Sequence, residues 1–153
     1  MSTLGRIASL LVVQKGRVDR AMALVRERNA TLLERESERD GARQRVADAV
    51  AAYRAEQARL SESINSASAV VGVRAVGLTA ASVRCEAHRR RMTEASAELA
   101  AAEEKVAVAL AAAAEARTAY RRILARQDAL SNLQAAYKKA QAKRVLRLEE
   151  QEA

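Results

Sequence analysis

The chain contains no proline, no phenylalanine and no tryptophan. Without proline, none of its 153 residues removes a backbone donor and forces a helix to break. Aromatic side chains are confined to Tyr53, Tyr120 and Tyr137, so the large blocks of buried surface that build a thick core are missing. A single cysteine, Cys85, excludes an intramolecular disulfide and fits a reducing compartment. A single histidine, His88, lies one helical turn from Cys85, but Glu86 points elsewhere and no further ligand completes a metal set. There is no glycine-rich phosphate loop and no nucleophile paired with a base, so neither a cofactor nor catalysis is expected. The carboxylates read as solvated helix faces, as in Glu34 and Glu38 beside Arg35 and Arg39. No run reaches the ~18 to 20 apolar residues of a bilayer span. The apolar run Ile7 to Val13 is short, follows one arginine, and lacks a small-residue cleavage site before Gln14-Lys15, so it is not read as a secretory leader. A cytoplasmic protein without membrane insertion is the expectation.

What is present is 50% apolar residues by count, much of that alanine, with Glu, Arg and Leu. Alanine buries little area, so a thin seam between close helices suits this composition, the signature of long helices or coiled coils. A stripe with steps of three and four residues runs Met22, Val25, Asn29, Leu32, Glu36, Arg39, Arg43, Val46, Val50, Tyr53, Gln57, Leu60, Ile64. Joining it to Leu4, Ile7, Leu11 and Val18 upstream requires a shift of phase near Val18. A second stripe runs Cys85, Arg89, Met92, Ser96, Leu99, Glu103, Val106, Leu110, Ala113, Arg117, Tyr120, Leu124, then slips and resumes at Leu130, Leu133 and Tyr137.

Between the stripes lies NSASAVVGVRAVGLT, whose Gly72 and Gly77 each cost a helix about 1 kcal/mol relative to alanine. This is where the chain is expected to reverse, with Thr79 capping the helix that follows. The expected fold is all-α: one antiparallel coiled-coil hairpin over 1–153, with a helix at 5–66, a turn at 67–79 and a helix at 80–150. The arms are about equal, and the hairpin is expected to be a monomer. A turn centred near residue 73 puts Val50 across from Leu99 and Val46 across from Glu103. A single unbroken helix pairing as a parallel dimer is disfavoured by the two glycines and the serine cluster.

The net charge is +8, which favours an acidic partner surface, nucleic acid or an anionic membrane surface. In the hairpin both termini lie at one end. That end gathers Arg6, Lys15, Arg17, Arg20, Arg26 and Arg28 from the first helix. The second adds Arg117, Arg121, Arg122, Arg126, Lys138, Lys139, Lys143, Arg144 and Arg147. The loop end is nearly balanced. A docking end for an acidic protein fits this better than nucleic acid, for which neither a motif nor interleaved stacking aromatics are present.

An apolar start with an arginine-studded helix (IASLLVVQKGRVDRAMALVRER) is followed by a mid-chain break and an LTAASVRCEAHRRR opening to the second helix. An Ala/Glu-rich run and a basic tail (YKKAQAKRVLRLEEQE) complete the layout. Over nearly the whole chain this resembles the YscO/FliJ family of bacterial type III secretion and flagellar export, the virulence-type branch more than the flagellar one. The resemblance is one of pattern more than motif. It implies a small, non-enzymatic, basic two-helix hairpin, similar to the coiled-coil stalk of rotary ATPases. One end would insert into the pore of a hexameric secretion ATPase. The loop end would reach towards the export gate, placing the chain peripherally at the cytoplasmic face of the inner membrane through its partners. Some members of the family bind export chaperones. Carried onto this chain, the ATPase-docking candidates are Arg17, Arg20, Arg121, Arg122, Arg126, Lys138 and Lys139. The nearest matches to the family's gate-binding residues are Tyr53, Leu60, Leu78 and His88, though their spacing departs from the flagellar pattern. Two other readings stay open. One is a scaffold that escorts export chaperones without acting on the ATPase. The other is a basic coiled coil that binds nucleic acid nonspecifically, with affinity falling steeply with salt.

Overall fold

The computed structural model describes residues 3–65 and 72–152, with side-chain surroundings for 3–65 and 77–151. Every described residue is helical: α1 spans Thr3–Asn65 and α2 spans Gly72–Glu152. The two long helices pack against each other as an all-α hairpin, as the composition implied. The chain divides into two units. A terminal unit combines Met1–Thr31 with Leu110–Ala153, and a mid-chain unit comprises Leu32–Ala109. In the terminal unit, Gln14 reaches Ile123 and Asn29 reaches Arg117, so the helices run antiparallel. The mid-chain unit is antiparallel too, with Arg43 meeting Glu103, Arg45 meeting Glu98 and Glu56 meeting Arg84. Glu103 therefore pairs with Arg43, one turn away from Val46, the residue expected across from it.

The buried face alternates three- and four-residue steps except between Val25 and Leu32, where Arg28 is exposed and Asn29 is half-buried. Along α1 it takes Leu4, Ile7, Leu11, Gln14, Val18, Ala21 and Val25, and from Leu32 on Arg35, Arg39, Ala42, Val46, Ala49, Tyr53, Glu56 and Leu60. Along α2 it runs Leu78, Ala81, Cys85, His88, Met92, Ala95, Leu99, Ala102, Val106 and Ala109, then Ala113, Ala116, Tyr120, Ile123, Gln127, Leu130 and Gln134. This corrects the stripes read from the sequence. Every second member was right (Val25, Leu32, Arg39 and Val46 on α1; Cys85, Met92, Leu99 and Val106 on α2). Of the intervening members, Met22, Arg43, Gln57, Ile64, Arg89, Ser96, Glu103, Leu110 and Arg117 are exposed, with Ala42 buried beside Arg43 and Ala109 beside Leu110, whereas Asn29, Glu36, Val50 and Leu124 are half-buried. The phase shift near Val18 and the slip after Leu124 disappear with that correction. Small residues take the interface because they let helix axes approach towards the lower end of the ~8 to 10 Å range. Ala42 and Ala113 are each only 1% exposed.

The arms are unequal, with 63 residues in α1 and 81 in α2. From residue 135 to 151 every residue of α2 is exposed, including Tyr137, Val145 and Leu148.

The turn expected at 67–79 is also corrected in part. Gly72, Gly77 and Thr79 all lie within α2, and no described glycine has a positive φ. Residues 67–71 of that expected turn lie outside the described residues. Two glycine penalties are small beside the cooperative gain of extending a long helix, and no proline intervenes to stop it. A Cβ built at Gly77 meets nothing within 4 Å. Gly77→Ala is therefore expected to stabilise the protein by about 1 kcal/mol in urea denaturation. Destabilisation instead would put Gly77 back into a turn with positive φ.

Candidate functional site

The two units divide the charge completely. The terminal unit holds fifteen Lys or Arg against seven Asp or Glu, which accounts for the whole net charge of +8; the mid-chain unit has twelve of each. Ion pairing follows the same division. The pairs among the described residues all lie in the mid-chain unit, such as Arg35–Glu38 at 2.8 Å, Arg45–Glu98 at 3.2 Å and Arg84–Glu56 at 2.6 Å. Three basic side chains of the terminal unit, Arg20, Arg26 and Arg117, are held by backbone or neutral partners. Arg20 Nε donates to the Gly16 carbonyl at 3.1 Å, and Arg117 Nη2 donates to Asn29 Oδ1 at 2.7 Å. Cations left without a carboxylate keep their field available to an external anion.

The docking candidates fall into three groups. Arg17 and Arg20 rim a shallow groove between the helices, walled by Ala21 and Leu24 of α1 and by Ala116, Ala119 and Ile123 of α2. Arg122 and Arg126, three and seven residues beyond Ala119, lie on the same flank of α2. Arg121 follows Arg117 by four residues and lies on the other flank, where Arg117 crosses to Asn29. Lys138 and Lys139 sit on the exposed end of α2. The structure thus brings Arg17, Arg20, Arg122 and Arg126 onto one face and separates Arg121, Lys138 and Lys139 from them.

Tyr53, Leu60, Leu78 and His88 are all half-buried members of the mid-chain seam. The Tyr53 hydroxyl accepts a hydrogen bond from Gln57 Nε2 at 2.8 Å. His88, a near match to a gate-binding residue, takes a seam position one turn from Cys85. Among them lies Glu56, 4% exposed, with Arg84 Nε at 2.6 Å and Arg59 Nη1 at 3.5 Å. The Arg84 hydrogen bond holds the Glu56 carboxyl below its usual range. Burial pushes the other way, and the charges of Arg84, Arg59 and His88 add to the lowering.

Two buried polar residues of the seam escaped the sequence reading: Glu56 and Gln14. Gln14 is 5% exposed and donates Nε2 to the Ile123 carbonyl at 3.0 Å. A polar residue in an otherwise apolar seam fixes register. Its signal was its place seven residues after Ile7 and seven before Ala21, which the hydropathy pattern did not reveal. Among the described residues no cluster of His, Cys, Asp and Glu could hold a metal ion, and no helix is long and apolar enough to cross a membrane. No family model matches the chain, and neither curated proteins nor solved structures give a match.

Proposed function

We propose that this chain is a non-enzymatic stalk of a bacterial type III secretion system, docking the basic face of its terminal unit onto the hexameric export ATPase and linking that ATPase to the export gate. The observation that supports this reading is the partition of charge. The terminal unit carries all of the net +8 and presents Arg17, Arg20, Arg122 and Arg126 on one face without carboxylate partners, while the mid-chain unit neutralises itself. Such an arrangement suits an acidic partner surface and gives orientation, because only one unit is attracted. The two flanks of the terminal unit also differ, so successive subunits of a ring would meet different faces. Differential contact of that kind is what allows a bound chain to favour one ring conformation over another.

The test is ATP hydrolysis by the export ATPase of the same secretion system, with and without this protein, alongside the triple reversal Arg17→Glu, Arg122→Glu, Arg126→Glu. Stimulation by the native chain is expected, with most of it lost in the triple variant. No change in hydrolysis at saturating protein, together with a stoichiometric complex with an export chaperone, would replace the stalk by the chaperone-escort reading.

A further inference from the structure

We propose that the groove of the terminal unit is a seat for a third helix, an amphipathic helix of a partner with an apolar stripe flanked by carboxylates. The proposal rests on the docking reading above and names the kind of element that would be recognised there. Beside the seam, α1 carries a second stripe with the same three- and four-residue steps: Leu10, Val13, Arg17, Arg20 and Leu24, all exposed. Leu10, Val13 and Leu24 are 54%, 53% and 41% exposed, and their spacing gathers them into one stripe rather than scattering them singly. On α2 the matching stripe runs Ala119, Arg122, Arg126 and Leu133, again exposed throughout. The groove between the stripes is floored by Ala21 and Ala116, small enough to let a third backbone settle in.

The two chemistries interleave. Apolar groups run along both stripes, and four arginines without carboxylate partners lie among them. An uncharged apolar helix would leave those guanidiniums partly desolvated and unpaired, which is costly. A basic helix would be repelled. A helix with leucines along one face and glutamates on both sides of it satisfies both, and each guanidinium can take a carboxylate in a charge-assisted pair. One end of the face reverses sign: Glu27 follows Arg20 on α1 and Glu115 precedes Ala119 on α2. The partner helix should therefore carry a basic residue at that end, which fixes its direction.

The probe is a labelled, designed helical peptide of about 18 residues, enough to span the four turns from Leu10 to Leu24. It carries leucines at three- and four-residue steps, flanking glutamates and one terminal lysine. Its binding to the full chain is followed by fluorescence anisotropy at about 0.15 M salt. Saturable binding is expected. Arg17→Glu with Arg20→Glu should weaken it at least about tenfold, as should Leu24→Glu alone, because both the charge and the apolar contact contribute. Arg121→Glu, on the opposite flank, should change it by less than about twofold. All these positions are exposed, and unchanged helical circular dichroism checks that each variant folds. Absence of saturable binding, indifference to Leu24→Glu, or equal loss in Arg121→Glu would each overturn the groove, the last by showing diffuse charge attraction. Absent peptide binding with intact ATPase stimulation removes the groove alone. Peptide binding without any ATPase effect removes the stalk reading and leaves the groove.

Discussion

Ala42→Leu should destabilise the protein by about 1–3 kcal/mol, the range for forcing extra methyl groups into a filled contact. Ala42 is 1% exposed and sits between the half-buried Arg39 and Val46 on the buried face of α1. A leucine there must push α2 away or leave its preferred rotamers. Ala47→Leu, at an exposed position of the same helix, supplies the comparison and should be close to neutral, since leucine and alanine differ little in helix propensity. Arg43→Ala should cost no more than about 1 kcal/mol, because its contacts with Glu103 at 3.5 Å and Asp40 at 3.9 Å are exposed ion pairs. Urea denaturation with an unchanged m-value is the measurement. A neutral Ala42→Leu with a costly Arg43→Ala would return the seam to the other flank.

That choice of flank marks the limit of what the residues alone disclose. The helical class followed from the missing proline and the alanine, glutamate and arginine content, and half of each seam followed from spaced large residues such as Leu32, Tyr53, Met92 and Leu99. Between those residues the pattern offers two ways to complete the face. Hydropathy favours Met22 over Ala21 and Leu110 over Ala109, whereas in the structure Met22 and Leu110 are exposed, Ala21 is half-buried and Ala109 is buried. Hydropathy ranks a side chain by the area it could bury. A close helix pair selects instead for side chains that let the backbones approach, and alanine wins there. The alanines repeating every seven residues at Ala95, Ala102, Ala109 and Ala116 carried this information, but alanine elsewhere in α2 is too frequent for the repeat to stand out. Helix ends were misplaced for a related reason. Glycine reads as a breaker, yet in a helix of 81 residues its local penalty is outweighed.

The same flank decides what the candidate docking residues can do. Their abundance at the terminal unit was legible from charge alone. Their division was not, because Arg121 and Arg122 are adjacent in sequence and only the seam's phase assigns them to opposite flanks. The exposed apolar residues tell the same story. Leu10, Val13 and Leu24 are spaced like core residues, and only the position of Ile7, Gln14 and Ala21 shows that they belong to a second, uncovered stripe.

Acid should weaken the mid-chain unit through Glu56. Its carboxyl titrates below its ordinary value in the folded chain, because Arg84 hydrogen-bonds the ionised form. A group shifted this way contributes stability that is present above its unfolded value of 4.5 and is lost as pH falls through the lower, folded one. Glu38, held down by Arg35 in the same direction, is more exposed and so contributes less. Arg84→Ala should lower Tm by several degrees at neutral pH. It leaves a carboxylate that is 4% exposed with only the 3.5 Å contact to Arg59 as an ion pair. Without its hydrogen-bonded partner the carboxyl should titrate higher, so the loss on acidification should begin at a higher pH. Glu56→Leu should behave differently. It removes the buried charge altogether, lets Arg84, already 59% exposed along its side chain, turn to water, and gives the seam an apolar member between Tyr53 and Leu60. Its Tm at neutral pH should equal or exceed that of the native chain, and its dependence on pH should be flatter below the ordinary carboxyl value of 4.5. Tm followed against pH for the three proteins separates the two effects. An acid dependence in Glu56→Leu as steep as in the native chain would move the acid-labile pair away from this seam.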